Sequence, residues 1–215
     1  MKLLAVGLPV CALLFASCVS RAPAQDETKE PPQTFVINLG EKSEKVVEGE
    51  TKKLSGTFTD PQVSVTPEPY RLFPYQGVRF QYPRTYSFEA DVADAAEKTW
   101  TLSGNDVTIM FFAFNSQLTT ADFAEKMIDQ FGKPNCQIVD ANAKLKLGAH
   151  ELSGTKIKVK VGTHTIMQEI YSIPTAARKT RLFILQDNPD EQGNHSTEAR
   201  GVLDVLKKSF QVDVK

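Results

Sequence analysis

The residues best suited to acid–base or metal chemistry in this chain are its three histidines and the carboxylates near them. His150 directly precedes Glu151, so in a strand the two side chains point to opposite faces. His164 and Glu169 are five residues apart, which also separates them. His195 lies in the polar stretch "DNPDEQGNHST". None of these spacings matches a zinc or non-haem iron site, so we predict solvated or helix-capping histidines and no metal.

The same polar stretch contains carboxylates that suggest a calcium loop. Asp187, Asp190 and Glu191 are followed by Gly193. A calcium loop spaces its oxygens regularly, with a glycine at the bend and a bidentate acid at its end. That spacing is missing here, so the sequence favours a solvated loop.

Cys136 is the one cysteine that remains once the N-terminal segment with Cys11 and Cys18 is set aside. Its surroundings, "GKPNCQIVD", contain no adjacent base, which predicts an inert, partly buried thiol. The sequence also lacks a nucleophile elbow, a Walker loop and a dinucleotide fingerprint. We therefore predict no cofactor, and an enzyme is the third hypothesis for the function.

Two sequence features indicate binding. Lys156, Lys158 and Lys160 alternate with apolar residues and line one face of a predicted strand, where they could bind an acidic partner or lipid headgroups. Alternatively, such lysines protect an edge strand from aggregation. The second feature is "PYRLFPYQG", in which Tyr70, Phe73 and Tyr75 form either an exposed patch for a partner or the contact that docks an N-terminal extension onto the core.

The N-terminus carries a predicted signal peptide. Residues 3–16 are uncharged and mostly apolar, and the run is shorter than the roughly 20 residues of a membrane-spanning helix. The stretch "LFASCVS" resembles a bacterial lipobox, so cleavage after residue 17 would leave a lipid on Cys18. "APAQ" offers a competing site, with removal of residues 1–24 and a soluble periplasmic or secreted protein.

Composition divides the rest of the chain. Residues 18–33 are charged and proline-rich, which predicts a disordered tether. Residues 34–76 contain short strands and form a predicted extension, and residues 77–215 form the main domain. The formal net charge of the chain is −1, and this balance gives no electrostatic footprint for nucleic acid.

The sequence of the main domain predicts several strands, then a helix, three further strands and a second helix. "TTADFAEKMIDQFGKP" has helical periodicity, a cap at Thr119 and a stop at Gly132, and "STEARGVLDVLKKSF" repeats the pattern with a cap at Ser196. A hairpin is predicted around 103–106, and the strand that follows it is apolar on both faces. Strands are predicted at 155–161, 165–173 and 180–186. The order favours an α+β fold, with a central antiparallel sheet between helices.

These elements together resemble the PsbP-like family over residues 77–213. The segments that carry the resemblance are "GVRFQYP", "VTIMFFAF", the first helix, "TKIKVKVGTHTIMQEIYSI", "TRLFILQD" and the closing "LKKSFQV". The resemblance implies an α/β/α sandwich and a non-catalytic binding or assembly module. It assigns no metal or contact residue to this chain, and the fold does not select a partner.

The sequence therefore supports three hypotheses. The first is an exported envelope protein, anchored through Cys18, that binds another protein. The second is a carrier or sensor of a lipid or other small ligand, which would need a pocket between sheet and helix. The third is an enzyme, which would need a cleft with a perturbed acid and base.

Overall fold

A computed structural model describes residues 26–53, 55–175 and 178–213 of the chain. In these residues it has thirteen strands and two helices, and no helix that is long and apolar enough to cross a membrane. The helices are α1 (Thr120–Phe131) and α2 (Thr197–Ser209). The strands are β1 (Thr34–Leu39), β2 (Lys42–Val47), β3 (Val63–Pro67), β4 (Tyr70–Phe73), β5 (Val78–Pro83), β6 (Ser87–Asp91), β7 (Glu97–Ser103), β8 (Val107–Phe114), β9 (Cys136–Leu147), β10 (His150–Val161), β11 (His164–Ile173), β12 (Thr180–Asp187) and β13 (Gln211–Val212).

Seven strands form one antiparallel sheet in the order β6-β7-β8-β12-β11-β10-β9. Strand β8 lies inside this sheet and is apolar on both faces. Ile109 and Phe111 belong to one core, whereas Phe114 belongs to the core on the opposite face and Phe112 packs against it. A strand of this kind needs cover on both sides. The prediction of a covered inner strand after the hairpin is therefore confirmed.

The two helices begin and end where the sequence predicts. Helix α1 starts with a capping box in which the Thr119 hydroxyl accepts from the Asp122 N–H and the Asp122 carboxylate accepts from the Thr119 N–H, and Gly132 ends the helix with φ 80°. In α2 the Ser196 hydroxyl accepts from the Ala199 N–H. Helix α1 packs on β9, β10 and β11, whereas α2 packs on β5 and β9.

The α+β class is confirmed, but the predicted PsbP-like α/β/α sandwich is wrong, because the fold is richer in β-structure. Helix α2 shares its core with a second, three-stranded sheet of order β13-β5-β4. Val78, Phe80 and Tyr82 alternate as fully buried residues along β5. These three side chains pack in the core beside α2. On this face the main sheet is therefore covered by a helix and by strands, whereas in a simple α/β/α sandwich helices alone cover it.

The region between the helices contains four strands, not the predicted three. Strand β9 escapes the sequence analysis because residues 137–142 are all exposed, so it lacks a regular apolar alternation. It is an edge strand of the main sheet, and an edge strand does not need apolar side chains on both faces. Strand β10 also begins earlier than predicted, at His150, and its pairing with β9 is irregular between Gly154 and Ile157.

Residues 34–67 of the predicted extension contain a separate three-stranded sheet of order β2-β1-β3, which includes the predicted strand "TFVINL". None of the described residues of this sheet belongs to either core. The rest of the predicted extension belongs to the main domain, because β4 pairs with β5 and Phe73 and Tyr75 lie in its core. The predicted signal peptide, Cys18 and residues 18–25 lie outside the described residues. For 26–33 the prediction of a disordered tether is wrong, because Pro31 and Gln33 are buried and the segment is bonded to the main domain.

Candidate functional site

A cluster of charged side chains lies at the N-terminal end of α2, on the side of the main sheet that α2 covers. It consists of Lys156 on β10, Glu169 and Tyr171 on β11, Asp187 at the end of β12, and His195 in the loop before α2. Glu169 and Asp187 are buried, with exposed fractions of 4% and 1%. Buried carboxylates are rare unless they are paired, so this charged cluster requires an explanation.

His195 joins the two carboxylates. Its Nε2 lies 3.2 Å from Glu169 Oε1 and its Nδ1 lies 3.0 Å from Asp187 Oδ2. The hydrogen bond to Glu169 raises the pKa of His195, the contact with Asp187 adds to the rise, and burial opposes it. Because an imidazolium can donate from both nitrogens, the arrangement favours the charged form of the ring.

Glu169 receives three donors in all. Besides His195, Lys156 Nζ lies 2.8 Å from Oε1, and the Tyr171 hydroxyl donates to Oε2 at 2.5 Å. Burial by itself would raise the pKa of Glu169, but these hydrogen bonds outweigh it and lower the pKa to about 2. Burial and the hydrogen bond to Glu169 raise the pKa of Tyr171. Glu169 therefore stays ionised in a nearly water-free position.

Asp187 connects the charged cluster to the start of α2. Its Oδ2 also accepts from the Ser196 N–H at 3.1 Å, and the Ser196 hydroxyl in turn caps the helix. Arg200, one turn into α2, donates to the carbonyl of His195. The charged cluster thus fixes the loop before α2 against the strands.

Two cavities open beside the charged cluster, with volumes of about 400 and 620 Å³. They share Met167, Pro189 and Gly193. The smaller cavity is also lined by Lys156, Glu169, Asp187, Asn194, His195 and Arg200. The larger cavity is also lined by Asp106, Lys158, Thr163, His164, Thr165, Asn188, Asp190 and Glu191. Most of the residues that line each cavity are polar or charged, which suits a polar ligand better than a lipid chain.

The hydrogen bonds of the charged cluster limit its chemistry. A general base needs a free lone pair near the operating pH, but both ring nitrogens of His195 already face carboxylates. The Ser196 hydroxyl accepts from the Ala199 N–H as the helix cap, and the Tyr171 hydroxyl donates to Glu169. The geometry therefore stabilises and positions the loop better than it transfers protons. Within residues 26–213, apart from 54, 176 and 177, no group of three or more His, Cys, Asp or Glu side chains is arranged to hold a metal ion.

The three lysines predicted as a binding surface do lie on one face of β10, but in different environments. Lys156 is engaged by Glu169, Lys158 lines the larger cavity, and Lys160 is exposed. The alternative, that they protect an edge strand, is wrong because β10 lies between β11 and β9. Lys158 and Lys160 remain available to an acidic group.

The prediction that Tyr70, Phe73 and Tyr75 form an exposed surface patch is wrong. Phe73 and Tyr75 are 0% and 2% exposed, and Tyr70 is half-buried. Tyr75 stacks on Trp100 with ring centroids 5.6 Å apart, and its hydroxyl donates to the carbonyl of Lys29. The alternative interpretation, that this segment docks N-terminal residues onto the core, is therefore what the structure shows.

The sequence analysis missed the charged cluster. His195 was predicted to be solvated or capping, and Glu169 was noted only for its distance from His164. One signal was present: Glu169 stands in the apolar stretch "TIMQEIYSI", where a charged residue needs a buried partner. Nothing in the spacing identifies Asp187 and His195 as those partners. The predicted solvated loop is partly confirmed, because residues 190–194 are exposed whereas Asp187 is buried.

A second candidate surface lies on the extension sheet. By the strand register, Phe35, Ile37 and Leu39 of β1 share a face with Val63 and Val65 of β3. The two valines are 59% and 57% exposed. In this apolar face, defined by the five residues, the valines of β3 are exposed and the residues of β1 are half-buried.

Comparisons with known proteins add little to this geometry. No protein-family model matches the sequence, and no curated protein matches it. Among solved structures, the chain is similar to PA94 from Pseudomonas aeruginosa, a protein of unknown function, at 12% identity and a TM-score of 0.28. The match covers 57% of this chain and 85% of that chain. At this TM-score the similarity says nothing about function, and the resemblance to PsbP-like proteins stays a prediction.

Proposed function

We propose that this protein is a non-catalytic binding module of the bacterial envelope, exported and anchored through a lipid on Cys18, which binds a partner protein through its extension sheet. The observation that carries the proposal is the exposure of Val63 and Val65, 59% and 57%, on an outer strand of that sheet. Apolar surface of this kind is characteristic of protein interfaces.

The apolar face is open on one side only. Over β2, residues 50–52 enclose a cavity of about 230 Å³ together with Ile37, Glu44 and Val46, and Lys52 forms an ion pair with Glu44. Over β3 the valines stay exposed. The side of the face that belongs to β3 is therefore the one where a partner would bury apolar area.

The partner that fits this edge is an extended segment. In the part of the chain that the structure describes, β3 pairs with β1 on one side and has no strand on the other. An unpaired strand edge offers N–H and C=O groups at regular spacing, and a partner strand satisfies them. Apolar side chains at alternate positions of that segment would cover Val63 and Val65.

The charged cluster supports a non-catalytic function. His195 is held between Glu169 and Asp187, so it lacks the free nitrogen that a general base requires. The charged cluster fixes the loop before α2 within the main domain, a structural role that requires no proton transfer.

The anchor is tested by the mass and location of the mature protein. We expect the wild type to begin at Cys18, to carry a lipid and to fractionate with membranes, whereas Cys18→Ala should be released to the soluble fraction. An unmodified mass that begins at Gln25 in both proteins would contradict the anchor and would indicate a soluble envelope protein.

The binding surface is tested by crosslinking in cells of the native source. We expect Val63→Lys with Val65→Lys to reduce recovery of the main crosslinked partner at least about tenfold, because two charges block an apolar strand edge. Val139→Lys is the matched control, since Val139 is 51% exposed and also lies on an edge strand, β9. Equal loss with the control, or no loss with the double variant, would contradict the proposal.

A second candidate function is the binding of a small polar ligand beside the charged cluster. The observation that favours it is the pair of adjoining cavities of about 400 and 620 Å³, whose lining residues are mostly polar or charged. Lys158 and Arg200 supply positive charge there, and Asp190 and Glu191 supply negative charge. A zwitterionic or polar compound suits such a lining better than a lipid.

A further inference from the structure

Residues 26–33, which we call the strap, lie across β7 and the segment that links β4 to β5. They begin with a turn, in which Asp26 accepts from the Thr28 N–H and hydroxyl. After the turn the strap continues without helix or strand structure to the start of β1. From Glu27 to Pro31 it is bonded to β4, to the β4–β5 link and to β7, and Gln33 is bonded to the extension.

Three side chains of the domain bind alternate carbonyls of the strap. The Trp100 indole N–H donates to Glu27 O at 2.9 Å. The Tyr75 hydroxyl donates to Lys29 O at 2.5 Å. Arg71 Nη1 donates to Pro31 O at 2.6 Å. Because these bonds go to backbone oxygens, they do not depend on the side chains of the bound segment.

The donors need an acceptor in this position. Trp100 is 0% exposed and Tyr75 is 2% exposed, so the strap shields them from water. An indole N–H can only donate, and a buried donor without an acceptor is costly. The groove that Arg71, Tyr75 and Trp100 form is therefore built to hold a peptide backbone.

Further contacts select the side chains of the bound segment. Glu27 forms an ion pair with Lys98 at 2.7 Å and accepts from Gln76 at 2.6 Å. Glu30 lies 3.3 Å from Arg71 Nε. Pro31 is buried. The groove thus fits an acidic side chain at two positions, followed by a proline.

We propose that this groove is a binding site for an acidic, proline-containing segment of a partner protein, and that the strap is a resident competitor for it. The proposal is independent of the partner-binding surface on the extension sheet. The strap binds intramolecularly, so it competes at a high effective concentration. If the strap occupies the groove nine-tenths of the time, a partner segment binds about tenfold more weakly than to an empty groove.

The test uses the full chain and its single tryptophan, Trp100. A fluorescent peptide with the sequence of residues 26–33, DETKEPPQ, is titrated into wild type and into Glu27→Lys with Glu30→Lys. Like charges then face Lys98 and Arg71, so the strap should leave the groove and the Trp100 emission should shift to the red. The peptide should bind the double variant at least about tenfold more tightly than wild type, and it should reverse the emission shift.

The control peptide is DKTKKPPQ, which should not bind either protein. A double variant that is folded, shows the red shift and still does not bind DETKEPPQ would overturn the proposal. A dimer that forms by exchange of straps between two copies and excludes the peptide would also overturn it.

If the double variant does not fold, the titration is made on wild type up to about 10 mM peptide, above the usual effective concentration of a short linker. The readout there is the anisotropy of the labelled peptide, because the bound peptide and the strap give Trp100 the same surroundings, and a labelled peptide that does not bind would also overturn the proposal.

Discussion

Phe80→Ala is expected to lower the free energy of unfolding by about 3–5 kcal/mol, the usual cost of truncating a fully buried phenylalanine. Phe80 is 0% exposed and lies at the junction of both sheets with α2. Its ring stacks on Phe73 at a centroid distance of 4.6 Å and on Phe210 at 6.1 Å, and meets the edge of Phe183 at 5.8 Å. The substitution would remove all three ring contacts and leave a cavity in the core. Chemical denaturation followed by circular dichroism measures the change.

Leu72→Ala is the control for this prediction. Leu72 lies on β4, opposite Gln81 of the same small sheet, but it is 48% exposed. We expect a change within about 0.5 kcal/mol, as for other surface positions. A similar loss in both variants, or a loss below about 1 kcal/mol for Phe80→Ala, would show that the aromatic core is not packed as described.

Glu169→Ala is expected to cost about 3–5 kcal/mol at neutral pH, because removal of one member of a buried ionic network leaves the others uncompensated. Lys156 and His195 would lose their shared partner, and Tyr171 would lose its acceptor. Glu151→Ala, an exposed acid of β10, is the matched control. We expect it to change the stability by no more than about 0.5 kcal/mol.

The same variant should alter the dependence of stability on pH. The pKa of His195 is raised above 6.5 in the folded protein, so its contribution is complete below pH 6.5 and is lost as the pH rises through the folded pKa. The pKa of Glu169 is lowered from 4.5 to about 2, so its contribution is present above pH 4.5 and is lost as the pH falls towards 2. The wild type should therefore lose stability in both directions.

In Glu169→Ala both slopes should flatten, because the acid is gone and His195 keeps only Asp187. Denaturation at pH values from 3 to 9 and a titration of the His195 ring by NMR measure the two effects. Identical pH profiles in wild type and variant would contradict the charged cluster as described.

Local patterns predict the elements that depend on neighbouring residues. The capping box at Thr119 and Asp122, the stop at Gly132 and the cap at Ser196 are all readable from the sequence, and the structure confirms both helices. The inner strand β8 is likewise predictable, since apolar residues on both faces require two cores. These features gave the α+β class.

Contacts between distant residues could not be predicted in the same way. The strap has the composition of a disordered segment, yet Trp100, Tyr75 and Arg71 bind its backbone, and backbone recognition leaves no mark on the composition of the bound residues. The charged cluster unites residues from β10, β11, β12 and a loop, and only the sheet register brings Lys156 opposite Glu169. Strand β9 was missed because an edge strand needs no apolar pattern.

The order of strands in the main sheet has a consequence for how the chain folds. β6, β7 and β8 are consecutive hairpins, and so are β9, β10, β11 and β12, but the two groups meet only where β8 pairs with β12. In that pairing Val107 lies opposite Asp187 and Phe114 opposite Thr180, so at least 65 residues separate the paired positions. Closing a loop of that length costs entropy before its contacts form. We therefore expect the two groups of hairpins to form early and the β8–β12 pairing to limit the folding rate.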